Sequence, residues 1–173
     1  GKGVQVKNNI IKKAPSFGLY VKGVNSSVTS QQNIVSGNTI LDTGDGLTDM
    51  HCLWLGACYN FIVSDNFVNK STPLAGGSTG TGIGIFIDYP GVDSRDGCED
   101  ILVTRNTISN TGKGSTSNTE VGGAGIFVLH SRRVTIAFNL VQYCLNGIVV
   151  WGGNSVADRS QNVEVYNNTL VYN

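Results

Sequence analysis

Charged residues make up only 14% of this 173-residue chain, and its twelve basic and twelve acidic side chains cancel. A partner held by phosphate neutralisation needs a basic surplus, so nucleic acid is not an expected partner. No run of 18 apolar residues occurs, and no membrane-spanning helix is expected without one. The chain begins with Gly1 and carries no signal-peptide pattern, which leaves its compartment open on that ground alone. Strong helix formers are thin, and no eleven-residue segment carries an apolar stripe at i, i+3, i+4 and i+7. A P-loop, a zinc-type cysteine spacing and a Ser-His-Asp constellation are all missing.

Glycine, with 23 residues, and asparagine are instead abundant, a composition suited to turns and strands. The asparagines fall into a repeat. Six segments align on one Asn: VQVKNNII (4–11), NIVSGNTI (33–40), FIVSDNFV (61–68), ILVTRNTI (101–108), VTIAFNLV (134–141) and VEVYNNTL (163–170). The anchors are Asn9, Asn38, Asn66, Asn106, Asn139 and Asn168. Three residues before each stands Val or Ile, and two residues after it Ile, Val or Leu. A second phrase recurs between the anchors: GLYV (18–21), CLWL (52–55), GIFI (84–87), GIFV (125–128) and GIVV (147–150). Each repeat reads as strand, Asn corner, short strand, variable loop, Gly-led strand and second loop. Strands of about four residues with period-2 alternation bury a face only by stacking on the next repeat.

Across the whole chain this pattern resembles the right-handed parallel β-helix of pectate-lyase-like proteins. The resemblance implies an all-β, single-stranded solenoid of about six coils, forming one domain over residues 1–173. Stacked asparagines would hydrogen-bond along the axis and satisfy backbone groups at the corner. By the same resemblance the protein is expected to be a carbohydrate-active β-helix, a lyase, epimerase or glycoside hydrolase. It would bind an extended polysaccharide, an acidic one included, at an extracellular or cell-surface location. The alternative is a non-catalytic surface or fibre module that engages a glycan or another protein.

Alternation also assigns directions. In the Gly-led strand, Leu19, Leu53, Ile85, Ile126 and Ile148 point inward, and Tyr20, Trp54, Phe86, Phe127 and Val149 point outward. Four aromatic rings on successive rungs would form a strip about 14 Å long. Two residues on, the outward row holds Lys22, Gly56, Asp88, Leu129 and Trp151, while His51 precedes the second strand and His130 follows the fourth. In the resembled superfamily this strand and its loops commonly form the saccharide groove, and the long loops, 41–50, 69–82, 88–99 and 109–123, flank it here. Tyr20, Trp54, Phe86, Phe127, Trp151 and Arg132 are therefore the candidate sugar-binding residues. Lys22, Asp88, His51 and His130 are the candidate groups for moving a proton or neutralising a uronate carboxylate. Packing of the rings under the long loops, or against another chain, remains open beside the groove.

Asp42, Asp45, Asp49 and His51 could collect around Ca²⁺, but the spacing fits no calcium loop, and a polar turn is the preferred reading. No metal or other cofactor is assigned. The acidic segment 88–100 is read as an internally paired loop. Cys58 and Cys98 both stand eight residues before their anchors, which puts their Cα atoms on adjacent rungs within disulfide reach. A bridge and a pair of stacked thiols both fit that spacing. Finally, the repeat begins and stops without a cap at GKGVQV and VEVYNNTLV. The expectation is a stretch of a longer β-helix, or ends covered by a partner such as a second protomer.

Overall fold

The structure, a computed structural model, describes residues 3–23, 32–43, 51–71, 82–88, 97–112, 123–152 and 160–173. Within them the chain forms three sheets, parallel throughout. Sheet 1 stacks β1 (Gln5–Lys7), β4 (Asn33–Ser36), β7 (Tyr59–Ser64), β10 (Glu99–Thr104), β13 (Arg132–Ala137) and β16 (Gln161–Tyr166). Sheet 2 stacks β2 (Ile10–Lys12), β5 (Thr39–Thr43), β8 (Phe67–Ser71), β11 (Thr107–Thr111), β14 (Leu140–Gln142) and β17 (Thr169–Val171). Sheet 3 stacks β3 (Leu19–Lys22), β6 (His51–Gly56), β9 (Ile83–Asp88), β12 (Ala124–Leu129) and β15 (Asn146–Trp151). Five coils each contribute one strand to each sheet in turn, and a last, partial coil contributes β16 and β17.

The register follows the repeat residue by residue. Val6, Val35, Val63, Val103, Ile136 and Val165 share one column of sheet 1, while Ile11, Ile40, Val68, Ile108, Val141 and Leu170 share one of sheet 2. In the middle coils these aliphatic columns, with Leu53, Leu55, Ile85, Ile87, Ile126 and Val128 of sheet 3, are fully buried in one continuous core. Burying each such side chain contributes about 1.5–3 kcal/mol. The glycine that leads the sheet 3 strand is a packing requirement. A Cβ on Gly84 would lie 2.5 Å from both the Gly125 carbonyl oxygen and Ile108 Cγ2.

Sheets 1 and 2 meet at the asparagine corner. The residue before each anchor, from Asn8 to Asn167, takes a left-handed backbone, with φ between +52° and +64°. The turn this makes leaves backbone groups that the strands cannot pair, and the anchor asparagines take them up. Each Nδ2 donates to the Oδ1 of the next anchor at 2.9–3.0 Å, from Asn9 through to Asn168. The same Oδ1 atoms accept the preceding anchor's backbone N–H. Nδ2 groups also reach carbonyls of the coil before, as Asn106 does to Val63 O at 2.9 Å. The ladder is therefore continuous over all six anchors.

All four cysteines are buried as thiols outside any disulfide. Of the two arrangements compatible with the spacing, Cys58 and Cys98 adopt stacked thiols, with the Cys58 N–H donating to Cys98 Sγ at 3.3 Å. Burial, with the Cys58 thiol beside it, pushes the Cys98 thiol well above its ordinary pKa. The loop residues 44–50, 72–81, 89–96 and 113–122, with Asp45, Asp49, Asp93, Arg95 and Asp96, lie outside the described residues.

Candidate functional site

The outer face of sheet 3 carries a column of stacked rings. Tyr20 and Trp54 stack at 4.4 Å between centroids, Trp54 and Phe86 at 5.5 Å, Phe86 and Phe127 at 5.2 Å, and Phe127 and Trp151 at 6.3 Å. In-register parallel strands place Tyr20, Trp54, Phe86 and Phe127 one above another, while Trp151, in register with Leu129, leans onto Phe127 from two residues along; interplanar angles of 15–26° keep the faces aligned. Access is uneven along the column. Tyr20 is 38% and Trp151 39% exposed and Trp54 is half-buried, but Phe86 and Phe127 are only 7% and 3% exposed. The two middle rings join Ile83 and Ala124 in a second, smaller apolar cluster. They point out of the solenoid, as alternation requires, yet offer no open face to a ligand in this structure.

Phe17, which the repeat does not single out, packs against this column, 5.0 Å from Trp54, 5.5 Å from Tyr20 and 5.7 Å from His51. It sits in the irregular segment before β3, where no repeat position marks it; its one signal is an aromatic ring directly preceding the Gly-led phrase. His51 is buried at the N-terminal end of β6, edge-on to Trp54 and Phe86. The buried Trp54 Nε1 has no hydrogen-bond acceptor among the described residues.

At the other end of the same strands the structure assembles a polar edge. Lys22, Gly56 and Asp88 are in register, so Lys22 and Asp88 are two rungs, or about 10 Å, apart. His130 Nδ1 lies 3.0 Å from Asp88 Oδ1. Asp88 is buried, Lys22 exposed and the His130 side chain 24% exposed. Trp151 follows in the same outward row, paired with Leu129. Burial, with Cys58 and Asp88 nearby, holds the Tyr20 hydroxyl above its ordinary pKa. Three of the four candidate proton-handling groups, Lys22, Asp88 and His130, thus share one edge. His51 is apart from them, a strand length of about 16 Å away.

Arg132 is exposed just beyond the edge, at the start of β13. Its neighbour Arg133 is committed to a structural role: it contacts Glu99 at 2.7 Å and Asp100 at 2.6 Å and holds the Asp100 carboxyl below the ordinary carboxylate range. Glu99 and Asp100, at the C-terminal end of the acidic segment, are thus paired with the next coil and not within the segment. Asp42, assigned to a polar turn or a calcium site, pairs with Lys70 Nζ at 3.1 Å.

A family profile described as a right-handed β-helix region matches residues 1–170. The chain belongs to the right-handed β-helix family. No curated protein and no solved structure matches it. Membership sets the handedness of the solenoid, while function must be argued from the site. What this right-handed β-helix presents is an aromatic column open at its two ends, with a carboxylate–imidazole pair and an ammonium group along one edge. Such an edge can hold a planar or ring-shaped ligand against Tyr20 or Trp151, neutralise an anion at Lys22 and exchange a proton at His130.

Proposed function

We propose that this β-helix binds an extended, uronate-containing polysaccharide along the outer edge of sheet 3 and acts on it by proton abstraction. The observation that carries this reading is the His130–Asp88 pair, at 3.0 Å, set on the edge that runs between the two open rings, Tyr20 and Trp151. Asp88 would fix the imidazole by accepting from Nδ1–H, which leaves Nε2 to act as base. Lys22 would neutralise the uronate carboxylate, making the adjacent C5 proton removable. Loss of that proton to His130 with cleavage of the C4–O bond gives a C4=C5 double bond, and the departing oxygen takes a proton from the imidazolium or from water to become the hydroxyl of a new reducing end, the lyase outcome. Return of a proton to the opposite face gives the epimer.

Incubation with pectate, alginate and chondroitin panels should raise absorbance near 235 nm for at least one substrate. In His130→Ala the rate should fall by about 10²–10⁴-fold while binding persists. Tyr20→Ala and Trp151→Ala should weaken glycan binding by about tenfold each, from loss of ring stacking. Phe86→Ala should instead destabilise the fold by about 3–5 kcal/mol, because its ring is buried. Binding that survives both Tyr20→Ala and Trp151→Ala would sink the site. The burial of Phe86 and Phe127 favours a second reading, a non-catalytic surface module that grips a glycan only at the two open rings. Binding without change at 235 nm, without new reducing ends and without epimerisation would select it.

A further inference from the structure

The register that pairs Tyr59, Glu99, Arg132 and Gln161 places Cys58, Cys98, Ser131 and Ser160 in the column one residue earlier. Each of the four donates its thiol or hydroxyl to a carbonyl at the C-terminal end of a sheet 3 strand. Cys58 reaches Val21 O at 3.3 Å and Gly56 O at 3.4 Å, and Cys98 reaches Leu55 O and Asp88 O, both at 3.4 Å. Ser131 reaches Leu129 O at 2.7 Å, and Ser160 reaches Trp151 O at 2.9 Å. The backbone N–H groups of Cys58 and Ser131 donate in turn to Cys98 Sγ and Ser160 Oγ of the next coil, at 3.3 and 3.5 Å. A second side-chain ladder thus closes the turn from sheet 3 into sheet 1, as the asparagines close the turn from sheet 1 into sheet 2.

This ladder takes hold of both members of the pair on the polar edge. The Asp88 carbonyl accepts from the Cys98 thiol and, at 3.1 Å, from the Ala57 N–H, so the backbone that carries the carboxylate is fixed from two sides. Ser131 Oγ spans the turn Leu129–His130–Ser131, and His130 at its tip takes a left-handed backbone, with φ +47°. The first two coils hold small residues in that column, Gly23 and Ala57, both left-handed. On the adjacent rung, Gly97 lies directly against the His130 carbonyl. A Cβ on Gly97 would sit 1.5 Å from that oxygen and 2.7 Å from its carbon, the tightest approach at any described glycine. No side chain fits there, and any residue but glycine would push the His130 peptide away.

We infer that Gly97 and Ser131 are positioning residues for His130. Gly97 leaves the space that the His130 carbonyl occupies, and Ser131 locks the turn that carries the imidazole. Together they keep Nδ1 at 3.0 Å from the Asp88 carboxylate, and that hydrogen bond decides which ring nitrogen carries the proton. Neither residue acts on a ligand directly; each acts through His130. A reacting group misplaced by about 1 Å loses about 10²-fold in rate, so a base held this closely depends on the residues beneath it. The catalytic meaning rests on the proposed role of His130 as the base, but the first test reads the imidazole without any sugar.

The chain has two histidines, so nitrogen–proton correlation spectra of the imidazoles, assigned with His130→Ala, report on His130 directly. In the alkaline range, where imidazole is neutral, the parent chain should show His130 as the Nδ1–H tautomer. Gly97→Ala and Ser131→Ala should each move that signal toward the Nε2–H form. Ser131→Cys should keep it, because the thiols of Cys58 and Cys98 fill the same role on neighbouring rungs. On a substrate that the parent cleaves, kcat should fall about 10²-fold in Gly97→Ala and Ser131→Ala with KM little changed, and Ser131→Cys should restore it. Gly18→Ala is the control for general destabilisation: its Cβ would lie 2.4 Å from Ile40 Cγ2, and it should lower the thermal midpoint without moving the His130 signal. Circular dichroism checks that each variant is folded, and the two Ser131 variants carry the test if Gly97→Ala is not. A parent without the Nδ1–H tautomer overturns the inference, as do parent-like His130 signals in the folded Gly97→Ala and Ser131→Ala variants. So does Ser131→Cys behaving as Ser131→Ala, or a control that shifts His130 as far as Gly97→Ala does. Tautomer changes as expected with no turnover of any glycan would remove the catalytic reading and leave the positioning of the imidazole standing.

Discussion

Asn106 illustrates how much one side chain does in this fold. It accepts the backbone N–H and Nδ2 of Asn66, donates its own to Asn139, and reaches the Val63 and Thr104 carbonyls, all in a buried corner. Asn106→Ala would strand those buried groups together, at about 3–5 kcal/mol. Asn9 makes the same forward bonds at an exposed position, where water can replace them, so Asn9→Ala should cost under about 1 kcal/mol. Urea unfolding of the two variants gives the comparison, and equal losses would mean that the ladder is not what holds the corner. This asparagine was readable in the sequence because the corner geometry recurs in every coil and demands the same residue each time. Phe17 was not, since it fills one gap beside Trp54 and has no counterpart in the other coils. The His130–Asp88 pair lies between these cases. Both residues stand at or next to one row position, yet they are 42 residues apart, and the lengths of the intervening loops hide their adjacency.

At the scale of the strand, alternation told correctly which way each side chain of sheet 3 points, but it could not tell what lies over it. Phe86 and Phe127 alternate in the same manner as Tyr20, and only burial separates them. Rung-to-rung ion pairs were equally hidden, because strand period carries no information about charge opposite charge. Asp65 receives two hydrogen bonds from Arg105, at 2.8 and 2.9 Å, and Arg133 binds Asp100 in the same manner. The bonds from each guanidinium hold these carboxyls below their ordinary value of 3.8. A carboxyl depressed in the folded state contributes stability that is complete above its unfolded value and is lost as pH falls toward the folded one. The urea midpoint should therefore decline as pH drops below about 3.8. In Arg105→Met/Arg133→Met that decline should be shallower. The effect is expected to be small, as both pairs are exposed. An unchanged slope in the double variant would assign the acid sensitivity to other carboxyls.

Across the whole molecule, each strand of the described residues pairs with the coils directly before and after it, so stability is a sum of coil and junction contributions and not the property of one centre. The sequence carried this architecture because every coil must present the same columns to its neighbours. It carried the chemistry poorly, because the sheet 3 edge is built from residues that differ from coil to coil. Junction-based stability makes a prediction about where the solenoid opens. The amides of β10 and β13, flanked by coils on both sides with Val103 and Ile136 fully buried, should exchange slowest. Those of β2 and β17 should exchange fastest, since Ile10 is 71% and Leu170 54% exposed and each strand is paired on one side only. Hydrogen exchange followed strand by strand gives the comparison. Protection should rise from each outer strand toward β10 and β13, because an inner strand opens only after its neighbours have. Equal protection in all of these strands would show instead that the solenoid opens in one global step.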